Sequence, residues 1–273
     1  VERFGRRRAR FHGSARQMRP VVAQPLRGWR GALAFAACAM PFAVGFVLPV
    51  GVMLSHALRK PEAWIEPGLL RALWATLTVG GSAAVLTVAA AVVFVYGLRM
   101  AGRGLPRWIL PATALGYAAP GAVLALGILV PLAALDHHLA DAVLALTGHD
   151  PGLLLTGTSA AIVLAFCLRF FGIAQGAVDA AFGRISPNLP LAARALGRPS
   201  GAVLREIYLP LMRGSVGMAL LVVFVDCVKE LPATLLLRPF NFNTLATRTQ
   251  ELASLEKLGE AAPAALLLMA VWL

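Results

Sequence analysis

Acidic residues are scarce in this chain of 273 residues: 13 Asp and Glu stand against 25 Lys and Arg, and charges of both signs make up only 14%. A soluble domain carries about 25% charged residues, so this composition excludes an ordinary soluble fold. Cysteine is sparse too. Cys38, Cys167 and Cys227 each sit alone inside an apolar run, which excludes a disulfide framework or a paired-cysteine zinc site. No glycine-rich loop ending in Lys-Ser/Thr is present to cradle a nucleotide phosphate. Neither a hydrolase elbow nor a His-Glu-x-x-His motif occurs. No cleavable signal peptide and no internal repeat are recognisable. The chain starts at Val1 and stops at Leu273 within an apolar run, and it is expected to be a fragment of a longer protein.

What is abundant is apolar length. Hydrophobic residues make up 59% and mean hydropathy is +0.75. Apolar segments at 31–58, 70–97, 108–135, 153–178, 214–237 and 260–273 predict about six membrane spans, since about 18 apolar residues suffice to cross a bilayer. Pro41, Pro49, Gly80, Gly81, Pro120 and Gly121 lie inside them, where membrane helices tolerate them because neighbouring helices re-satisfy the backbone. Gly80-Gly81-Ser82-Ala83-Ala84 is a small-residue stripe suited to close helix packing.

The net charge of +12 does not indicate nucleic acid, because little soluble chain remains to carry a basic face. The arginines lie between apolar runs. Residues 1–30 hold Arg3, Arg6, Arg7, Arg8, Arg10, Arg16, Arg19, Arg27 and Arg30. Arg99, Arg103 and Arg107 follow, then Arg184, Arg194, Arg198, Arg205 and Arg213. Residues 136–150 carry acids and no Lys or Arg. The positive-inside rule therefore expects 1–30, 98–107 and 181–213 in the cytoplasm and 136–150 outside. The 238–259 loop also falls outside, against the sign of Arg238 and Arg248. Asp136, His137, His138, Asp141, His149 and Asp150 are expected to form a solvated loop rather than a metal site.

Two polar features interrupt the apolar pattern. From Leu189 to Leu196 the residues favour a helix ended by Gly197 and Pro199, with a second short helix from Gly201 to Leu209 stopped by Pro210. This predicts a helix–turn–helix on the cytoplasmic face, with Ala192 and Ala193 small enough for another protein to approach and Gly197 allowing a tight turn. The second feature is Asp226, Lys229 and Glu230, near the middle of the run 214–237. Spacings of three and four put them on one helix face. Each charge at a bilayer centre costs roughly 2.5–3.5 kcal/mol, so the cluster must face protein or a water-filled path. Lys229 offsets one acid, and Arg169 in the fourth span is a candidate partner for the other. The cluster is either an ion-pair staple between helices or a polar lining of a substrate path.

The turn resembles the cytoplasmic signature of permease subunits of binding-protein-dependent ABC importers: Glu-Ala-Ala, three residues, Gly, nine residues, Ile-x-Leu-Pro. Ala192, Ala193, Gly197, Ile207, Leu209 and Pro210 fall at the matching spacing, with Leu191 where Glu is usual. The third span, GYAAPGAVLALGI from Gly116 to Ile128, resembles a Pro-Gly break found in such permeases. DCVKELPATLLLRPFNFNTLAT, from Asp226 to Thr247, resembles the fused iron(III) permeases of bacterial uptake systems, long chains of two homologous halves with about six spans each.

This resemblance covers most of the chain and implies an all-helical membrane permease domain over 31–273, the second half of such a chain, with 1–30 as a basic cytoplasmic linker. It implies an inner-membrane protein moving iron(III) by alternating access. Leu191, Ala192, Ala193, Gly197, Ile207, Leu209 and Pro210 would form the coupling loop, and Asp226, Lys229, Glu230 and Pro232 would lie along the substrate path. The chain itself would bind no cofactor and no metal and catalyse nothing. ATP would sit on a cytoplasmic ATPase dimer, and a periplasmic binding protein and the other permease half would complete the partners. Relatives with nearly the same signature are thought to carry aminoethylphosphonate or thiamine. The competing class is a proton-coupled secondary transporter using the charged cluster as a relay.

Overall fold

The computed structural model describes residues 28–101 and 112–271. Most of the expected basic linker, together with Arg103 and Arg107, lies outside the described residues. Every regular element among the described residues is helical, as expected.

The chain divides into two units, 1–49 and 50–273. In the first, α1 (Trp29–Phe42) contains Pro41 and has no buried residue. A π turn (Ala43–Val47) follows, in which the N–H of Leu48 donates to the carbonyl of Ala43, five residues back. The helix then runs on as α2 (Leu48–Arg59). The second unit holds α3 (Pro67–Ala101), α4 (Leu115–Ala118), α5 (Gly121–Thr147), α6 (Ser159–Gly183), α7 (Asn188–Ala195) and α8 (Ser200–Val203). A second π turn (Leu204–Tyr208) leads into α9 (Leu209–Val228), then α10 (Pro232–Leu237), α11 (Leu245–Ser254) and α12 (Leu258–Ala270).

The core of the second unit is a packing of α3, α6 and α9. Lipid is as apolar as leucine, so helices associate in it by close contact rather than by escape from water. The sequence supplies small residues for this purpose. A Cβ on Gly80 would lie 3.3 Å from the Phe224 ring, and Ala83, Ala84 and Ala91 are buried in one cluster with Ile162, Ala165 and Phe166. The hydroxyls of Thr76, Thr78 and Thr87 donate to carbonyls four residues back at 2.8, 2.8 and 2.5 Å, leaving no polar hydrogen for the apolar surroundings to accommodate.

Among the described residues, five helices are long and apolar enough to cross a membrane: Trp29–Arg59, Pro61–Met100, Gly121–Thr147, Ser159–Gly183 and Ser200–Val228. The expected sixth is represented by the shorter α12, 13 residues as described. The third span begins at Gly121 rather than near 108, because Ala119 is extended ahead of Pro120, the conformation that a following proline imposes. The fifth span differs most from the expectation. Pro210 does not stop a helix but occupies the first turn of α9. The π turn just before it absorbs the proline, with the Leu209 N–H reaching back five residues to Leu204. The first span meets Pro49 in the same way, one residue after Leu48 closes its own π turn.

The segment 136–150 is also not the solvated loop expected. α5 continues to Thr147 and ends at Gly148 in the left-handed conformation (φ 71°). Asp136 is fully buried. Its carboxylate accepts from the backbone N–H groups of Leu154, Leu155 and Thr156 at 2.7–3.1 Å and from the Thr156 hydroxyl. Three amides and a hydroxyl supply the solvation that water would otherwise give, so the residue ties α5 to the chain entering α6. No grouping of three or more metal-ligating side chains occurs among the described residues.

Candidate functional site

The expected helix–turn–helix is present. α7 ends with Gly197 at φ +80°, its N–H donating to Arg194 at 2.9 Å while Arg198 N–H donates to Ala193 at 3.1 Å. This paired closure needs the left-handed region at Gly197. A Cβ there would meet nothing within 4 Å, so backbone conformation, not space, selects glycine. Leu191 and Ala192 are exposed and Ala193 is half-buried, and Leu196 at the tip is 84% exposed. Leu191, 59% exposed, thus presents an apolar surface where the resemblance leads one to expect a carboxylate. The acid of this region is Glu206, which faces Arg198 across the turn at 3.6 Å. Both side chains are about half exposed, so this pair adds little stability. Ile207, Leu209 and Pro210 lie on the π turn and the start of α9, beyond the tip that carries the alanines.

The charged cluster sits at a helix break, not in mid-helix. α9 ends at Val228 with Lys229 as its cap, and Pro232 opens α10, a first-turn position where its missing N–H costs nothing. Asp226 and Lys229 pair at 2.5 Å, the carboxylate buried and the ammonium side chain 47% exposed. Glu230 is buried and its Oε2 lies 3.1 Å from Arg169 Nε. That Nε makes no hydrogen bond: its N–H points off the line to the carboxylate, so charge rather than direction holds this pair. The other end of the guanidinium is well used, since Nη1 donates to the Ala119 carbonyl at 2.7 Å.

Glycine at 121 has its reason here. A Cβ on Gly121 would lie 2.3 Å from Glu230 Oε1 and 3.4 Å from Arg169 Nη1. The Pro120-Gly121 break and the Lys229-to-Pro232 break, over 100 residues apart, therefore meet at Arg169. Gly116 and Gly172 let α4 and the chain before it lie against α6: added Cβ atoms would fall 2.4 Å from the Leu168 carbonyl and 2.8 Å from the Thr113 carbonyl. Four charges at roughly 2.5–3.5 kcal/mol each explain why the acids are buried against cations.

Residues without a local signal complete the picture. Arg238 bonds Glu251 at 2.5 Å and also Asn243, whose amide donates to Glu251 at 2.8 Å. The hydrogen bond from Arg238 holds the Glu251 carboxyl below the usual carboxylate range. A cleft of about 420 Å³ lies beside this network, lined by Leu235, Phe240 and Asn241 among others. Arg248 bonds Glu66 at 2.5 Å. At the opposite end of α3, Tyr96, Phe182 and Tyr208 form an aromatic cluster.

The fold agrees with that of solved structures. A bacterial ABC transporter involved in the import of the acidic polysaccharide alginate matches with TM-score 0.70 at 14% identity, covering 88% of this chain and 90% of that one. The bacterial alginate ABC transporter in complex with a periplasmic protein bound to alginate pentasaccharide matches with TM-score 0.67. The chain has the fold of an ABC importer permease. By sequence, this permease-fold chain is similar to the Fe(3+)-transport system permease protein FbpB 2 of Haemophilus influenzae, 26% identical over 263 residues. That alignment takes in 95% of this chain and 49% of the relative, so the chain spans about half the length of the curated relative it matches. No family model matches. Similarity to a permease and the apolar helices of spanning length mark this as a multi-pass membrane protein.

Proposed function

We propose that this chain is one half of the membrane permease of an ATP-driven importer, carrying iron(III) from periplasm to cytoplasm by alternating access. The observation that carries the reading is similarity along 95% of the chain to an Fe(3+)-transport permease, on an importer fold. The α7–Gly197–α8 turn docks onto a cytoplasmic ATPase dimer, which binds the ATP. Leu191, Ala192, Ala193 and Gly197 form the contact, while Ile207, Leu209 and Pro210 join it to the fifth span. A periplasmic binding protein delivers cargo, and the other permease half closes the path. Asp226, Lys229, Glu230 and Pro232 border that path, with Arg169 holding Glu230. The membrane is the bacterial inner membrane, with the basic N-terminal segment and the turn on the cytoplasmic side. Nucleotide-driven closure moves the docked turn, and the attached spans follow as rigid elements.

The test uses the full-length permease assembled with its ATPase and binding protein in vesicles. Gly197→Glu is expected to insert normally yet lose coupling of ATP hydrolysis to ferric uptake, and wild-type uptake by this variant would sink the docking role. Uptake abolished by a protonophore, with no need of ATP, would favour the secondary transporter. Competition by aminoethylphosphonate or thiamine would reassign the cargo.

A further inference from the structure

The second limb of the turn joins the fifth span at a soft place. The amide of Leu204 is shared between the carbonyls of Ser200 and Gly201, and the π turn Leu204–Tyr208 follows at once. Wide turns with divided hydrogen bonds are where helices bend. A displacement entering at Gly197 would dissipate there unless another contact carried it past.

Such a contact exists. Tyr208, at the end of the π turn, packs on Phe182 with ring centroids 4.7 Å apart and edge-on to Tyr96 at 5.7 Å. Tyr96 also lies along Phe182 at 6.2 Å. The three rings belong to the last turns of α3 and α6 and to the π turn. The Tyr96 hydroxyl donates at 2.6 Å to the Ser200 carbonyl, the first residue of the turn's second limb. One helical turn away, Arg99 lies over the Phe182 ring at 5.4 Å and pairs with Asp179 at 2.9 Å, locking α3 to α6. The first limb is held as well, since the Arg194 guanidinium rests against the Met100 sulfur. Both limbs of the turn are therefore gripped by the final turns of α3, in parallel with the covalent path through the π turn.

We infer that Tyr96 is a positioning residue for transport: its hydroxyl and ring carry movement of the docked turn past the soft π turn and into α3 and α6. This rests on the permease reading and names the contact through which that coupling acts. Tyr96→Phe keeps the ring and removes one hydrogen bond. Tyr208→Leu removes a ring from the cluster, and Tyr208→Phe restores it.

The experiment compares cargo taken up per ATP hydrolysed, in vesicles holding the full-length permease with its ATPase and binding protein. For Tyr96→Phe, hydrolysis stimulated by the binding protein persists while uptake per ATP falls about fivefold, the factor set by one net hydrogen bond. Tyr208→Leu lowers the ratio further and Tyr208→Phe returns it. A merely structural role would lower hydrolysis and uptake together, and an unchanged ratio in Tyr96→Phe overturns the inference. Should Tyr208→Leu fail to assemble, the Tyr96→Phe ratio alone decides. Wild-type uptake without ATP hydrolysis would remove the permease reading itself, whereas a coupled wild type with an unaltered Tyr96→Phe ratio would overturn this inference alone.

Discussion

The turn around Gly197 and the break around Glu230 use glycine and charge in opposite ways. At Gly197 the backbone conformation demands glycine while the space beside it is open. At Gly121 the backbone is ordinary helix and the space is already filled by the Glu230 carboxylate. The turn's ion pair, Arg198 with Glu206, is half in solvent, whereas that of the break, Arg169 with Glu230, is enclosed. One site is shaped to be touched by something else, the other to hold itself together where helices are interrupted. Surface substitutions in the first should alter function with little loss of stability, and substitutions in the second should do both.

The largest effect is expected at the break. Glu230→Ala leaves the Arg169 guanidinium buried without its counter-charge, a change that costs about 3–5 kcal/mol. Thermal unfolding in detergent should show a marked drop that a second substitution, Arg169→Met, largely reverses. A Glu230→Ala protein as stable as the parent would erase the contrast between the two regions. Gly121→Ala comes next: the methyl must push the carboxylate aside, and overpacking of this kind costs about 1–3 kcal/mol. Gly127→Ala on the same helix, with nothing within 4 Å of its Cβ, serves as the comparison and is expected to be neutral. Equal losses in both would show that the helix resists any added volume.

The smallest effect concerns pH. The folded state holds the Glu251 carboxyl below its ordinary value through Arg238. A depressed carboxylate pKa stabilises the fold above the unfolded value, about 4.3, and that contribution is lost as pH falls through the lower, folded value. With the Glu251 side chain 41% exposed, the gain is about 0–1 kcal/mol. Stability should therefore be flat near neutrality and decline slightly in acid, and Glu251→Gln should remove that part of the slope. A slope unchanged in Glu251→Gln would assign it to another carboxylate.

How much of this was legible in the sequence depends on how local each feature is. The apolar runs identified the spans, and Gly197 with Pro199 identified the turn, because helix endings follow from neighbouring residues. Pro210 misled for the same reason: read locally it ends a helix, yet a single wide turn lets the helix pass through it. Asp136 read as a loop acid because its solvation comes from amides 18–20 residues away. Arg169 stood out as a lone charge in an apolar run, but its position between the Pro120-Gly121 break and Glu230 is a tertiary fact. The rings of Tyr96, Phe182 and Tyr208 leave no pattern at all, since each is an unremarkable aromatic in its own helix.

The π turn at Leu204–Tyr208 also fixes a phase. A π bulge amounts to one residue inserted into an α-helix, and one residue corresponds to about 100° of rotation about the helix axis. The azimuth at which Gly197 and Leu196 project from the fifth span is therefore set by the count of residues between Ser200 and Pro210. Inserting or deleting a single residue there would rotate the second limb about the α9 axis and pull the Ser200 carbonyl off the Tyr96 hydroxyl, while the side chains in the core of α9 kept their place.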